Sequence, residues 1–377
     1  MTFPEILKTA LAFLLVIGPL IFIHELGHYL VGRWCGVKAE AFSIGFGREL
    51  FAWVDKRGTR WRVAALPLGG YVRFKGDMNA ASMADPAWLE MPAKDRMESF
   101  PAQPVWKRAA IVAAGPLVNF LAAILLLGGL GWWVGEATAP PVVGFVAPQS
   151  AAEKAGLKVG DRIVSIIGRD IHEFTDISRI VVLRPNEALD YRIERGGRTI
   201  DMAIAAGTRY EEDRFGNRYA LGLLGIAPPS RPVIRDVSFA EIPVVGARRS
   251  WKVLVDTYDG LGQIITGRRS VKEMGGPLRM AQISGEVIDN GLLPFIGLAA
   301  FISINLGFIN LLPIPTLDGG HLLFYGIEAV QRRPVSPQVQ EWAYRGGLAL
   351  LLTVMVMVTF NDLSSFGIWR GLTGLIG

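Results

Sequence analysis

The chain lacks the residues from which disulfide-stapled and cysteine-rich zinc folds are built. Its 377 residues include one cysteine, Cys35, and four histidines, at positions 24, 28, 172 and 321. A single cysteine excludes an intrachain disulfide and a cysteine-rich zinc site. Any metal site in this chain must therefore combine a few histidines with acidic side chains.

Charge is also scarce. Charged residues make up 19% of the chain and apolar residues 51%, whereas soluble domains carry about 25% charged residues. The formal net charge of +5 is mild, and no nucleic-acid-binding motif accompanies it. We therefore interpret the basic excess as a determinant of membrane topology, and we expect no nucleic-acid partner.

The apolar residues are concentrated in four runs that could cross a bilayer, which takes about 20 residues as helix. The runs span roughly 10–31, 109–134, 292–313 and 348–360, the last being longer if 342–347 belongs to it. The first run could instead be a signal peptide. It has no convincing cleavage site and carries a charged motif in its second half, so we favour a membrane span.

Basic residues flank the segment between the first two runs. They are Arg33, Lys38, Lys94, Arg96, Lys107 and Arg108. The positive-inside rule therefore predicts that this loop is cytoplasmic and that the long segment between the second and third runs is external. In a Gram-negative cell the external side is the periplasm.

Both connecting segments contain β-type patterns. In the cytoplasmic loop, 51–54 and 59–63 flank a Lys-Arg-Gly turn, which predicts a β-hairpin, either associated with the membrane or solvated. From 140 to 227, short β-type runs alternate with Gly and Asp turns, so we predict a separate α+β domain, in which His172 is an ordinary surface residue. Residues 231–290 predict amphipathic helices.

The motif His-Glu-Leu-Gly-His occupies residues 24–28, inside the first apolar run. On a helix, His24 and His28 share one face, and Glu25 lies beside them where it can reach a water on a metal. Ionisable residues within a span are costly and by default mark function. A zinc ion would offset that cost, and the alternative is a polar patch packed against another span.

Catalytic zinc takes three protein ligands and leaves one position open for water. Asp318 lies at the end of the third apolar run, after Pro313 and Pro315, which interrupt a helix. Non-helical backbone at membrane depth is tolerated where it is buried in protein or lines a wet cavity. We therefore predict Asp318 as the third ligand, with His321 as the alternative ligand or a packing residue.

Four motifs together resemble a known family. They are the His-Glu-Leu-Gly-His motif and the segments 67–71 (PLGGY), 114–119 (AGPLVN) and 310–321 (NLLPIPTLDGGH). In this order they resemble the site-2 protease family of intramembrane zinc metalloproteases, in particular its RseP-like bacterial branch, over nearly the whole chain. The better-known members of that branch carry two tandem PDZ domains, whereas this chain has room for one.

The resemblance implies roles for seven residues. His24, His28 and Asp318 would bind Zn²⁺, Glu25 would be catalytic, and Asn310, Pro313 and Pro315 would hold the substrate in an extended form. It also implies single-span membrane substrates trimmed by another protease, such as anti-sigma factors, and leftover signal peptides. The location would be the bacterial inner membrane, and the PDZ ligand stays unidentified.

The predicted fold is a polytopic α-helical membrane protein with about four transmembrane helices, a membrane-associated β-hairpin and an inserted periplasmic PDZ domain. The predicted order is span 1 (1–36), cytoplasmic loop (37–105), span 2 (106–135), PDZ domain (140–227), amphipathic linker (228–290), span 3 with the Asp-Gly-Gly motif (291–330) and span 4 (342–361).

The sequence leaves three alternative functions: a non-enzymatic PDZ scaffold, a metal transporter, and a membrane-anchored zinc protease whose site faces the cytosol.

Overall fold

The computed structural model describes residues 3–77, 90–212, 218–229, 233–268 and 275–365. The chain forms two compact units. The first, here called the membrane unit, comprises Met1–Gly129, Pro243–Leu254 and Gly275–Phe360. The second, here called the β unit, comprises Leu130–Ile242, Val255–Met274 and Asn361–Gly377.

Among the residues that the structure describes, four helices are long and apolar enough to cross a membrane, in agreement with the four spans predicted. They are α1 (Phe3–Trp34), α3 (Val105–Val134), α8 (Leu292–Asn310) and α10 (Pro337–Ser365). Three of them extend beyond the predicted apolar runs because flanking polar residues continue the helix. In contrast, α8 ends at Asn310, before Pro313, which has no N–H to donate to a further helical turn.

The membrane unit also contains shorter helices. They are α2 (Ala93–Met97), α7 (Pro277–Val287), α9 (Asp318–Gln331) and the first half of α6 (Ile242–Ile265). A Cβ on Gly246 of α6 would lie 2.0 Å from the Ile124 carbonyl oxygen, so α6 and α3 touch backbone to backbone. A Cβ on Gly285 of α7 would lie 2.5 Å from the Thr9 hydroxyl of α1. Glycine is therefore required at both crossings.

The β-hairpin of the first connecting segment is longer than predicted. It consists of β1 (Ala39–Val54) and β2 (Arg60–Phe74). Residues 41–44 of β1 pair on one side with 60–63 and on the other side with 70–73, because β2 folds back along β1. The 70–73 stretch is therefore an edge, with no further strand paired to it in the part of the chain that the structure describes.

The β unit has its own apolar core beneath a four-stranded sheet of order β6-β5-β7-β8. Its elements are β3 (Glu136–Thr138), β4 (Phe145–Val146), α4 (Ala151–Lys154), β5 (Arg162–Ile166), β6 (Arg169–Asp170), α5 (Phe174–Val182), β7 (Ala188–Arg195), β8 (Arg198–Ala205), β9 (Gly207–Glu212), β10 (Arg218–Leu223), β11 (Ile226–Ala227) and β12 (Val233–Arg235). Helices α4 and α5 and the hairpin β7–β8 give this unit the mixed α and β content predicted for 140–227. The pairs β9–β10 and β3–β12 were not predicted. That this unit is a PDZ domain stays a prediction.

Candidate metal centre

The centre begins with two histidines on one face of α1. His24 and His28 are one helical turn apart, and both are buried. Their Nε2 atoms are 3.2 Å apart. Two ring nitrogens brought this close in an apolar span create an electron-rich point that attracts a proton or a metal ion.

Asp318 comes from the far end of the chain to the same point. Its Oδ2 atom lies 3.3 Å from His24 Nε2 and 3.6 Å from His28 Nε2. Asp318 is the first residue of α9, so its carboxylate lies at the positive end of the helix dipole. The next residue, Gly319, has no room for a side chain, since its Cβ would lie 2.3 Å from the Leu311 carbonyl oxygen.

One face of α3 supports both histidines through residues 111, 115 and 119, spaced four apart. His28 Nδ1 lies 2.9 Å from the Ile111 carbonyl oxygen and donates to it. A Cβ on Gly115 would lie 2.2 Å from His28 Nε2, so only glycine leaves space for the ring. The side-chain amide of Asn119 lies 2.9 Å from His24 Nδ1. The sequence motif at 114–119 pointed to this helix, but gave no role for these residues.

The arrangement fits a tetrahedral metal ion. Zinc binds histidine nitrogen and carboxylate oxygen at about 2.0–2.2 Å, so that two ligands at a tetrahedral angle are roughly 3.3–3.6 Å apart. The three separations among His24, His28 and Asp318 are 3.2, 3.3 and 3.6 Å. Two nitrogens and one carboxylate oxygen also form a donor set typical of catalytic zinc.

Glu25 lies next to this group and contacts the edge of β2. Its side chain is buried, and the backbone N–H of Val72 donates to its carboxylate. A Cβ on Gly70 would lie 2.9 Å from Glu25 Cγ, so the strand approaches closely because Gly70 has no side chain. The acid is thereby held beside the candidate ligands rather than bound to them.

A cavity of about 640 Å³ opens over the group. Its walls include the β2 edge at Gly70, Tyr71 and Val72 on one side and the α10 face with Tyr344 and Leu348 on the other. A cavity bounded by a strand edge and a span has the form of a binding groove for an extended chain.

The other predicted site residues differ in whether they line the cavity over His24, His28 and Asp318. Asn310 lines the cavity, whereas Pro313 and Pro315 shape the turn between α8 and α9 without lining it. His321 lines the cavity, but its ring faces Tyr344, whose hydroxyl lies 2.9 Å from His321 Nδ1. The structure therefore brings Asp318, not His321, next to the two histidines. His172 is exposed in the β unit.

No lysine or arginine pairs with Glu25 or Asp318 within the residues that the structure describes. The ion pairs of Asp318 are those with His24 and His28. A buried Glu25 and a half-buried Asp318 without a guanidinium or ammonium partner leave a net negative site in an apolar span, which is costly unless a cation is present.

A family model described as Peptidase family M50 matches residues 12–354. The chain belongs to this peptidase family. This confirms the resemblance drawn from the four motifs, and the apolar helices agree with a metalloprotease of the membrane. The PDZ part of that resemblance stays a prediction.

Relatives from bacteria cover nearly the full chain. A candidate zinc metalloprotease of Agrobacterium fabrum is 43% identical over 94% of this chain and 95% of its own length. A candidate zinc metalloprotease of Rhizobium meliloti is 45% identical over 93% and 95%. Metalloprotease MmpA of Caulobacter vibrioides is 37% identical over 96% and 97%.

Proposed function

We propose that this membrane metalloprotease is a zinc-dependent endopeptidase that cuts the membrane-spanning segments of other proteins. The observation that carries the proposal is the convergence of Glu25, His24, His28 and Asp318 at one cavity between apolar helices. A peptidase whose catalytic groups belong to its spans is suited to substrates that also lie in the bilayer.

In this proposal His24, His28 and Asp318 hold the zinc ion. Zinc held by three protein ligands supplies Lewis acidity to a water and to the scissile carbonyl group. The relatives named as candidate zinc metalloproteases support this choice of metal. The histidines bind through Nε2, because His28 Nδ1 is committed to the Ile111 carbonyl.

Glu25 is the proposed general base. It takes a proton from the attacking water and returns it to the amine that leaves. The Val72 N–H holds one side of the carboxylate, so the proton is exchanged at the free oxygen.

The β2 edge is the proposed substrate-binding strand. A helical substrate must unwind before its carbonyls become available, and an extended segment can pair with a free strand edge. Val72 gives its N–H to Glu25, and Gly70 lets that acid approach the strand, so the edge lies against the cavity directly beside the proposed base. Asn310 would contact the same segment, and the turn with Pro313 and Pro315 would shape the groove around it.

The hairpin beyond this edge has the surface of an element that contacts lipid. Leu50, Phe51, Trp53 and Val54 are 68%, 63%, 47% and 59% exposed. Clustered exposed apolar residues mark interaction sites, and aromatic rings favour membrane interfaces. We therefore favour the membrane-associated hairpin over the solvated one.

The location, the orientation in the membrane and the class of substrate are proposed from the sequence. We propose a bacterial inner-membrane location, a cytoplasmic loop between the first two spans, and a periplasmic β unit that acts as a single PDZ domain. The substrates would be single-span proteins already trimmed by another protease, of the anti-sigma-factor type, and leftover signal peptides. These assignments rest on flanking charge and on the family resemblance.

Cleavage of a tagged single-span reporter in membranes tests the proposal, with zinc measured on each purified variant. We expect Glu25→Gln to keep about one zinc and to cut at least about 100-fold more slowly. Asp318→Asn should lose zinc and activity. Glu5→Gln, an exposed substitution on the same helix, is the matched control and should behave as wild type.

Two results would count against the proposal. Full cleavage by Glu25→Gln would remove Glu25 from the chemistry. A wild-type protein that binds no metal and leaves the reporter intact would make a non-enzymatic scaffold the leading function.

A further inference from the structure

Asn119 is fully buried between three spans and has one unused polar atom. Its Nδ2 lies 2.9 Å from His24 Nδ1, while its Oδ1 has no hydrogen-bond partner. Its backbone carbonyl accepts a hydrogen bond of 2.8 Å from the Ser303 hydroxyl of α8, and both residues are 0% exposed. A buried acceptor left unsatisfied is costly, so the orientation of this amide requires an explanation.

The two histidines are supported by chemically different groups. The Ile111 carbonyl that contacts His28 can only accept, so His28 carries its proton on Nδ1 and turns the Nε2 lone pair to the centre. The Asn119 amide can both donate and accept. His28 is therefore preset for metal binding, whereas His24 can take either tautomer.

Each orientation of the amide corresponds to one tautomer of His24. With Nδ2 facing the ring, Asn119 donates to Nδ1, and the His24 proton lies on Nε2, 3.3 Å from Asp318 Oδ2. With the amide rotated by half a turn, Oδ1 accepts from Nδ1–H, and the Nε2 lone pair faces Asp318 and His28. A metal ligand requires the second arrangement, in which Nε2 has given its proton to water and Nδ1 has taken one up from water, so that the ring stays neutral.

We propose that Asn119 is a positioning residue that turns its side-chain amide when zinc binds, and so converts His24 from a hydrogen-bond donor to Asp318 into a zinc ligand. This inference rests on the proposed function, because it needs zinc at His24. In the zinc-free protein the same amide keeps His24 and Asp318 hydrogen-bonded to each other, so the group stays assembled without the metal. A carboxylate or an apolar side chain at this position could not serve both states.

Zinc affinity of the purified full chain, measured by competition with a chromophoric chelator, is the first test. Asn119→Leu has a similar volume but neither donor nor acceptor, and we expect its zinc dissociation constant to rise about 10–100-fold. Asn119→Asp keeps an acceptor and should bind zinc at least as tightly as wild type. The matched control is Asn305→Leu, the same change on α8, where the amide donates to the Phe301 carbonyl.

The tautomer of His24 is the second test, and a merely structural role for Asn119 would not change it. Nitrogen NMR of ¹⁵N-histidine-labelled protein should show Nε2–H at His24 without zinc and Nδ1–H with zinc, while His28 shows Nδ1–H in both. The four histidines of the chain make the spectrum assignable by single substitutions.

The outcomes separate this inference from the proposed function. Unchanged zinc affinity in Asn119→Leu, or an Nδ1–H tautomer at His24 in both states, would overturn the inference while leaving the protease intact. Should Asn119→Leu fail to fold, a weakened affinity in Asn119→Asp would overturn it equally. A wild-type chain without zinc binding would instead defeat the proposed function itself.

Discussion

The two units of the molecule surround their shielded acidic side chains with different partners. In the β unit, Asp161 is 1% exposed, and both of its oxygens lie 2.6 Å from Arg195 nitrogens. In the membrane unit, the partners of Asp318 are the imidazoles of His24 and His28. Guanidinium stays charged and cannot bind a metal, whereas a neutral imidazole offers a lone pair.

Asp259 of the β unit is also paired with arginine, as Asp161 is. It pairs with Arg169 and Arg184, and its side chain is 9% exposed. These two acids of the β unit are therefore paired with arginines of the same chain. Asp318, the proposed metal ligand, instead has the two imidazoles as its ion-pair partners among the described residues. Substitutions in the membrane unit and in the β unit test this difference.

The largest effect is expected from Gly115→Ala in the membrane unit. The added Cβ would lie 2.2 Å from His28 Nε2, so the ring must move away from the centre. We expect at least a 100-fold loss of zinc affinity and loss of cleavage, measured by chelator competition and by the reporter assay. Gly129→Ala on the same helix meets no atom within 4 Å and is the control. Equal zinc affinity in both variants would contradict the crowding argument.

A smaller effect is expected from Asp161→Asn in the β unit. This change leaves Arg195 without its buried counter-ion, at a cost of about 2–3 kcal/mol. Hydrogen exchange of peptides from 140–227 in the full chain would report it as faster opening. Asp201→Asn removes an exposed pair with Arg192 and should change protection little. Zinc affinity should not change in either variant.

The smallest effect is a pH dependence of the same unit. Burial by itself would raise the pKa of Asp161, but hydrogen bonds from Arg195 and from the Lys158 N–H lower it below the ordinary 3.8. A lowered folded-state pKa gives stability that is present above the unfolded value and is lost as pH falls towards the folded value. We expect protection of 140–227 to fall below about pH 4.

That acid-induced loss should be smaller in Asp161→Asn, because the substituted amide does not titrate. Hydrogen exchange corrected for its intrinsic pH dependence would measure the difference between the two proteins. If protection against hydrogen exchange falls equally in the two proteins as the pH is lowered, Asp161 does not contribute to the pH dependence.

Much of the fold could be predicted because apolar runs and helix length directly report spans. The strands β9 and β10 were missed because 209–218 is rich in charge and resembles a solvated loop, with no apolar alternation. The fold-back of β2 along β1 was missed for another reason. Gly45 and Gly47 have φ of +87° and +85° and allow β1 to bend, but a sequence does not show which segments then pair.

The site residues were predicted mainly from where they lie in the chain, and less from their residue type. His24, Glu25 and His28 follow from a helical repeat, and Asp318 follows from being an acid at membrane depth. The supporting roles of Ile111 and Asn119 depend on which side chains of α3 face α1, and that depends on tertiary packing. The repeat of 111, 115 and 119 on one helix face was the available signal.

The separation of the candidate ligands along the chain has a consequence for biosynthesis. Asp318 follows His24 by 318 − 24 = 294 residues, so the first span waits for it on the order of half a minute at ordinary elongation rates. During that time the nascent chain displays two histidines and an acid without the ligand that completes the centre. If these residues form the working site, as proposed, the centre stays incomplete until Asp318 has been made and has folded against α1.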